Sequence, residues 1–206
     1  MLPYDSSKAI EHLRSVDQAL GRVISRTGAF DLHTRSFRTP FHALYSAIVS
    51  QQLSGKAARS IYLRTRALFP QGRVTAPAVL NTSPEALRNA GLSRAKIAAV
   101  RDLASKHLDG TVPNARHMKR LSDDEIIERL VQVRGVGRWT VEMLLMFYLG
   151  RPDVLPTGDL GVRKGFQIVY SRRALPTEKQ LLKFGERWRP YRSVASWYLW
   201  RATELG

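Results

Sequence analysis

Apolar residues recur at helical spacing along nearly the whole chain, and the strict alternation of a half-buried strand is absent, so the pattern predicts an all-α protein. Ile10, Leu13, Val16, Leu20 and Val23 fall on one face of a first helix over residues 6–25. Thr39-Pro40 opens a second helix, to residue 51, with Thr as N-cap and Pro in the first turn, where its missing N–H costs nothing. Ser54-Gly55 breaks the chain before an Arg-rich helix to residue 69. Ser83-Pro84 starts a short helix that Gly91 stops, and Ser93 caps the next, to residue 108. Ser122 and Glu125 form an S-x-x-E capping box, which predicts a helix over 123–131. Gly135-Val136-Gly137 ends it, and a helix over 138–149 follows at once. A loop with Pro152 and Pro156 leads to a helix over 160–170. Thr177 with Gln180 caps another, and the last helix covers 191–204. With no internal repeat, low-complexity tract or long linker, residues 1–206 read as a single compact unit.

Charge changes the picture. Lys and Arg number 33 against 17 Asp and Glu, a formal net charge of +16, while 44% hydrophobic residues suffice for an ordinary core. The excess lies in sign and points to a polyanionic partner. Of the basic residues 25 are Arg, whose planar fork grips phosphates and stacks on bases, which tilts the partner toward nucleic acid. Cysteine is absent, which excludes disulfides, Cys-ligated zinc and iron–sulfur clusters. The five histidines are scattered without metal-ligand spacing, so no cofactor and no essential metal is expected. The N-terminal segment MLPYDSSKAIEHL lacks the pattern of a signal peptide, and the most apolar stretch, residues 139–149, is interrupted by Glu142 and too short to span a membrane. A soluble protein without membrane contact is expected, in the cytoplasm or nucleoid, or in a nucleus if the source is eukaryotic.

The segment 130–140, LVQVRGVGRWT, joins two helices through a short hairpin with two glycines two apart. Such a turn, running into a helix N-terminus, offers backbone N–H groups and a positive dipole end to a phosphate, with Gly135 and Gly137 leaving room for close approach. A tight αα-hairpin without a ligand is the plainer alternative. Arg134 and Arg138, flanking the glycines on a strongly basic chain, favour the phosphate clamp, with Val136 and Thr140 completing the contact.

Four segments resemble the helix-hairpin-helix DNA glycosylase superfamily, most closely its alkylpurine branch, the 3-methyladenine DNA glycosylase II proteins: IVSQQLSGKAA at 48–58, VRGVGRWT at 133–140, LPTGDLGVRKG at 155–165 and WRPYRS at 188–193. In order and spacing they span residues 40–201. The resemblance implies two helical lobes with a cleft for DNA and base between them, the helix-hairpin-helix at about 123–149, and no N-terminal β-domain. It places the catalytic aspartate at Asp159. On the residues alone Asp159 also reads as an N-cap, and both roles are compatible, since negative charge at a helix N-terminus is favourable. Many relatives carry a second acid just before this aspartate; here Gly158 stands there.

Bifunctional relatives carry a nucleophilic lysine two residues after the second hairpin glycine, a position held here by Trp139. The resemblance therefore implies hydrolysis alone: a monofunctional glycosylase that flips out alkylated purines such as 3-methyladenine or 7-methylguanine and leaves an abasic site. Trp139 and Trp200 would line the base pocket, with Trp197 and Tyr198 nearby, and π-faces suit a cationic base. Core packing accounts equally well for any one of these aromatics. Gln51, Gln52 and Leu53 would fill the gap left by the flipped base, Leu53 as an apolar wedge, unless Leu53 is simply buried. Lys56, Arg59, Arg163 and Lys164 would meet the DNA backbone; Arg172, Arg173 and the arginines between 187 and 192 are either further contacts or solvated faces. By analogy with relatives, a monovalent cation would sit on the carbonyls of Val131, Val133 and Val136. The partner expected is duplex DNA containing damaged bases, bound by a monomer. A non-catalytic helix-hairpin-helix DNA-binding protein and a glycosylase for another lesion are the competing readings.

Overall fold

The computed structural model describes residues 2–32 and 37–205, and every regular element among them is helical. In chain order they are α1 (Ser6–Val16), α2 (Gln18–Thr27), α3 (Pro40–Ser50), α4 (Gly55–Ala67), α5 (Ala76–Asn81), α6 (Pro84–Asn89), α7 (Arg94–Leu108), α8 (Ala115–Met118), α9 (Asp123–Leu130), α10 (Arg138–Phe147), α11 (Leu160–Val169), α12 (Glu178–Gly185) and α13 (Arg192–Ala202). Single 3-10 turns lie at Pro70–Gly72 and Glu186–Trp188. No helix among the described residues is long and apolar enough to cross a membrane. The chain divides into two units, one of Met1–Arg35 with Leu145–Gly206, the other of Ser36–Leu144.

In the first unit the single helix expected over residues 6–25 is two. Asp17 lies between them in extended backbone (φ −152°, ψ 96°), caps α2 through its side chain to the Leu20 N–H at 3.1 Å, and is buried. An Asp competes with the helix for backbone donors, and a buried carboxylate demands partners. They come from far away in sequence: the Tyr170 hydroxyl donates to Asp17 Oδ2 at 2.6 Å and the Trp188 indole at 2.9 Å. Burial and then the Asp17 carboxylate push the Tyr170 phenol far above its ordinary range. Around this polar knot Leu13, Leu20, Ile24, Phe166, Leu181 and Trp188 form a core. α11 and α13 pack backbone to backbone: a Cβ built on Gly165 would lie 1.9 Å from the Leu199 carbonyl oxygen.

In the second unit the most apolar helix, α3, buries Phe41, Leu44, Tyr45, Ile48 and Val49 and packs on α4 and α7; α5 and α6 pack on α7 from elsewhere. Thr39, Thr75 and Ser83 accept from backbone N–H groups at the starts of α3, α5 and α6, each with Pro in the first turn. The Ser122–Glu125 capping box at α9 is formed reciprocally, at 3.3 and 2.7 Å. α5 and α8, six and four residues long, are too short to show a hydrophobic period. The chain passes from this unit into the other within α10, which ends at Phe147, two residues short of expectation.

Candidate active site

The hairpin is built as its sequence suggests. Val133 N–H closes back on the Leu130 carbonyl at 3.1 Å and Val136 N–H on that of Val133 at 3.0 Å. Gly135 has φ +74°, a left-handed conformation that glycine alone adopts without strain. A Cβ on Gly137 would meet nothing within 4 Å, so the backbone entering α10 faces open space. Open space of this kind at a helix N-terminus can seat an anion. Of the three carbonyls suggested for a cation, that of Val133 already accepts one hydrogen bond. Arg134 and Arg138 are exposed, and Arg138 Nε reaches the buried carboxylate of Glu142 at 3.0 Å. Thr140 is only 7% exposed, and Val136 is likewise buried. Trp139, by contrast, is 49% exposed.

The turn after α3 lies against the hairpin. Gln51 Nε2 donates to the Gly135 carbonyl at 2.9 Å, a tie the sequence does not show. Gln52 has φ +56°, a left-handed conformation rare outside glycine, and presents Leu53 at the surface with 36% of its area exposed. Leu53 is therefore not a buried helix terminus. Lys56 and Arg59 line a recess of about 490 Å³ along α4 with Gly55, Ser60 and Leu63. Asp102 on α7 accepts the Arg134 N–H at 2.7 Å and pairs with Lys106 at 2.8 Å. Burial pushes this carboxyl up, but the Arg134 N–H and the Lys106 ammonium outweigh it and hold it below the usual carboxylate range. Its contribution to stability is thus present at neutral pH and lost on acidification through that lowered range.

In the other unit Asp159 caps α11, its Oδ1 accepting the Val162 N–H at 2.8 Å and the Trp200 indole N–H at 2.8 Å. Its own N–H closes the preceding turn onto Pro156 at 3.0 Å. The carboxylate oxygen Oδ1 is therefore oriented by two donors, while the backbone bond fixes the turn that carries it. Trp200 stacks on Phe147, with ring centroids 5.9 Å apart and planes 23° off parallel. The indole fits only because residue 161 is glycine: a Cβ there would lie 2.8 Å from Trp200 Cδ1. Trp200 and Asp159 are brought together, but Trp197 packs edge-on against Phe30 and Tyr198 instead. Arg163 donates to the Pro176 carbonyl at 2.9 Å, and Lys164 is exposed. Arg189 and Arg192 are tied into ion pairs with Asp153 and Glu186, a structural network that the sequence left open. The fold also brings an acid to the place where Gly158 omits one: the Glu178 carboxylate oxygens lie 3.7 and 4.0 Å from where a Cβ of residue 158 would stand. Among the described residues no group of three His, Asp or Glu side chains is placed to hold a metal ion.

The family model described as HhH-GPD superfamily base excision DNA repair protein matches residues 45–190. DNA-3-methyladenine glycosylase 1 of Schizosaccharomyces pombe is 36% identical over 201 residues, 97% of this chain and 88% of that protein. The structure of the S. pombe 3-methyladenine DNA glycosylase in complex with abasic DNA superposes with a TM-score of 0.86, covering 97% of this chain and 98% of that one. A DNA-3-methyladenine glycosidase from Bacillus halodurans, also 36% identical, gives 0.86 over 94% of this chain and 88% of its own.

Proposed function

The chain belongs to the HhH-GPD superfamily of base excision DNA repair proteins, and from that premise we propose that it is a monofunctional DNA glycosylase acting on alkylated purines in duplex DNA. The observation that carries this reading is the carboxylate of Asp159, fixed by the Val162 and Trp200 N–H groups in a chain whose hairpin bears Trp139 where a lyase would need an amine. The similar S. pombe and B. halodurans proteins are named for 3-methyladenine, and the same substrate class is proposed here.

On this mechanism the hairpin N–H groups and arginines grip phosphates, residues 51–53 enter the stack, and the damaged nucleotide swings out. A purine alkylated at N3 or N7 carries positive charge, so its C1′–N bond breaks without a strong general acid. The bonding electrons leave with the base. Asp159 stabilises the oxocarbenium-like sugar and orients the water that adds to C1′, leaving an abasic site. Trp139 faces the cationic base with its π-cloud. Trp139→Ala is therefore expected to slow release of cationic methylpurines by a factor of about 2 to 30, the equivalent of about 0.5–2 kcal/mol of cation–π attraction. An unchanged rate would reduce Trp139 to a surface residue.

Grip on the backbone predicts salt dependence. If about five phosphates are neutralised, the log–log slope of affinity against salt lies near −4 to −5, read from fluorescence anisotropy titrations. A slope near zero would remove the DNA reading. The test of the reaction type is an end-labelled duplex carrying methylated purines: strand breaks are expected only after hot alkali, which cuts at abasic sites. Breaks without alkali would contradict a monofunctional enzyme, and no excess of breaks after alkali over the same duplex treated without protein would leave a non-catalytic binding protein.

A further inference from the structure

The face of α7 that carries Lys96, Ala99, Asp102 and Lys106 meets both elements assigned to DNA. At 3.6 residues per turn these four side chains fall within one stripe of the helix. Lys96 Nζ donates to the Val49 carbonyl at 2.7 Å and to the Gln51 carbonyl at 2.8 Å. Those oxygens belong to the last turn of α3 and its C-cap, where carbonyls lack helical partners and a cation is favourable. Burial lowers the Lys96 ammonium from its ordinary value. One helical turn on, Ala99 Cβ lies 3.5 Å from where a Cβ of Gly135 would stand, ordinary contact distance, so this turn of α7 lies directly beneath the hairpin. Asp102 then takes the Arg134 N–H and is itself held by Lys106. The Gln51 amide closes the figure by reaching across to the Gly135 carbonyl.

We infer that α7 is a splint that joins the turn of residues 51–53 and the hairpin of residues 130–137 into one rigid DNA-reading body, with Lys96 and Asp102 as its positioning residues. The inference rests on the proposed glycosylase reading for what the turn does, and on the geometry alone for the joint. Gln52 explains why a splint is needed. A non-glycine residue held at φ +56° persists only where its surroundings over-determine it, and Gln51 just before it is fixed at both its carbonyl and its side chain. Leu53 is thus aimed before DNA arrives. Wedge insertion and phosphate grip then occur as one event, and Lys96, although basic, binds protein carbonyls rather than DNA.

The test uses the full chain and a duplex with 2-aminopurine beside a stable abasic-site analogue, whose fluorescence rises when the stack is opened. Lys96→Met is expected to keep affinity for undamaged duplex within about twofold and the salt slope unchanged, because no phosphate contact is lost. Its fluorescence rise on this duplex, and its release of methylpurines from a separate alkylated duplex, should each fall about tenfold. Lys56→Met, by comparison, is expected to reduce the slope by about one. Asp102→Ala should reproduce the insertion defect, and the double variant Lys96→Met/Asp102→Ala should be no worse than about twofold beyond the weaker single, because two braces of one body do not act independently. Lys96→Arg, which keeps the donors, should recover most of the loss. If Lys96→Met does not fold, Asp102→Ala carries the same readings against its own salt slope. A native fluorescence rise in both single variants, or fully multiplicative losses in the double, would overturn the splint. A wild-type protein that opens the stack of the abasic-analogue duplex but releases no base from alkylated duplex would defeat the glycosylase reading and leave the splint intact, whereas a wild type that does not open the stack would defeat the splint's role.

Discussion

Asp159→Asn is expected to lower base release from alkylated DNA by a factor of about 10² or more, equivalent to about 2.7 kcal/mol of lost transition-state stabilisation. The amide has the size of the carboxylate and its oxygen still accepts the Val162 N–H, so α11 keeps its cap and stability changes by less than about 1 kcal/mol. What disappears is the negative charge opposite a sugar that becomes positive. The Trp200 indole sharpens the effect, because its N–H at 2.8 Å holds the carboxylate oxygen in place and still finds an acceptor in the variant. DNA affinity should be retained or rise slightly, since a carboxylate near phosphates is repelled. Release under single-turnover conditions, binding by anisotropy and unfolding in urea measure the three expectations separately. Full excision activity would overturn the mechanism; a variant that cannot fold would leave capping as the whole role of Asp159.

Gly165→Ala is expected to cost about 3 kcal/mol of stability, the upper end of what overpacking usually does. The new Cβ would stand 1.9 Å from the Leu199 carbonyl oxygen and 2.5 Å from its carbon, both backbone atoms, so no side-chain rotation relieves the clash. α11 and α13 must separate. Asp159 caps the first of these helices and Trp200 follows Leu199 on the second, so the variant should lose activity along with stability even at temperatures where it is folded. Urea unfolding should show the midpoint shifted downward by about 1–3 M. The same change at Gly137, with open space around the position and no left-handed φ, should leave stability within about 0.5 kcal/mol while weakening DNA binding, because the added methyl points toward the anion seat. An unshifted midpoint for Gly165→Ala would mean that the two helices are not in contact.

What the sequence made legible was local. Capping boxes at Ser122 and Thr177, Thr-Pro and Ser-Pro starts and the G-V-G hairpin each state a backbone conformation within a few residues, and each is found. Asp159 was readable as a cap for the same reason. The break at Asp17 was not, because the donors that make a buried carboxylate tolerable there are Tyr170 and Trp188, more than 150 residues away. The long-range ties of the site were hidden likewise. Nothing in the spacing of Gln51, Lys96, Asp102 and Arg134 shows that one helix face gathers them, and nothing next to Gly158 shows that Glu178 stands beside it. Trp197 and Trp200 lie three apart, on one side of the last helix by spacing alone. The fold separates their roles by giving one indole N–H a carboxylate and the other ring an aromatic neighbour.

The central claim is that a fixed carboxylate at residue 159 drives release of alkylated purines, and the most direct measurement is chromatographic analysis of free bases after incubation with methylated genomic DNA, for the wild type and Asp159→Asn side by side. Methylpurines should appear with the wild type, beyond their spontaneous release, and fall to nearly that background with the variant, while unmodified DNA yields no free base. Release of the same bases at equal rates by both proteins, or none by the wild type, would contradict it.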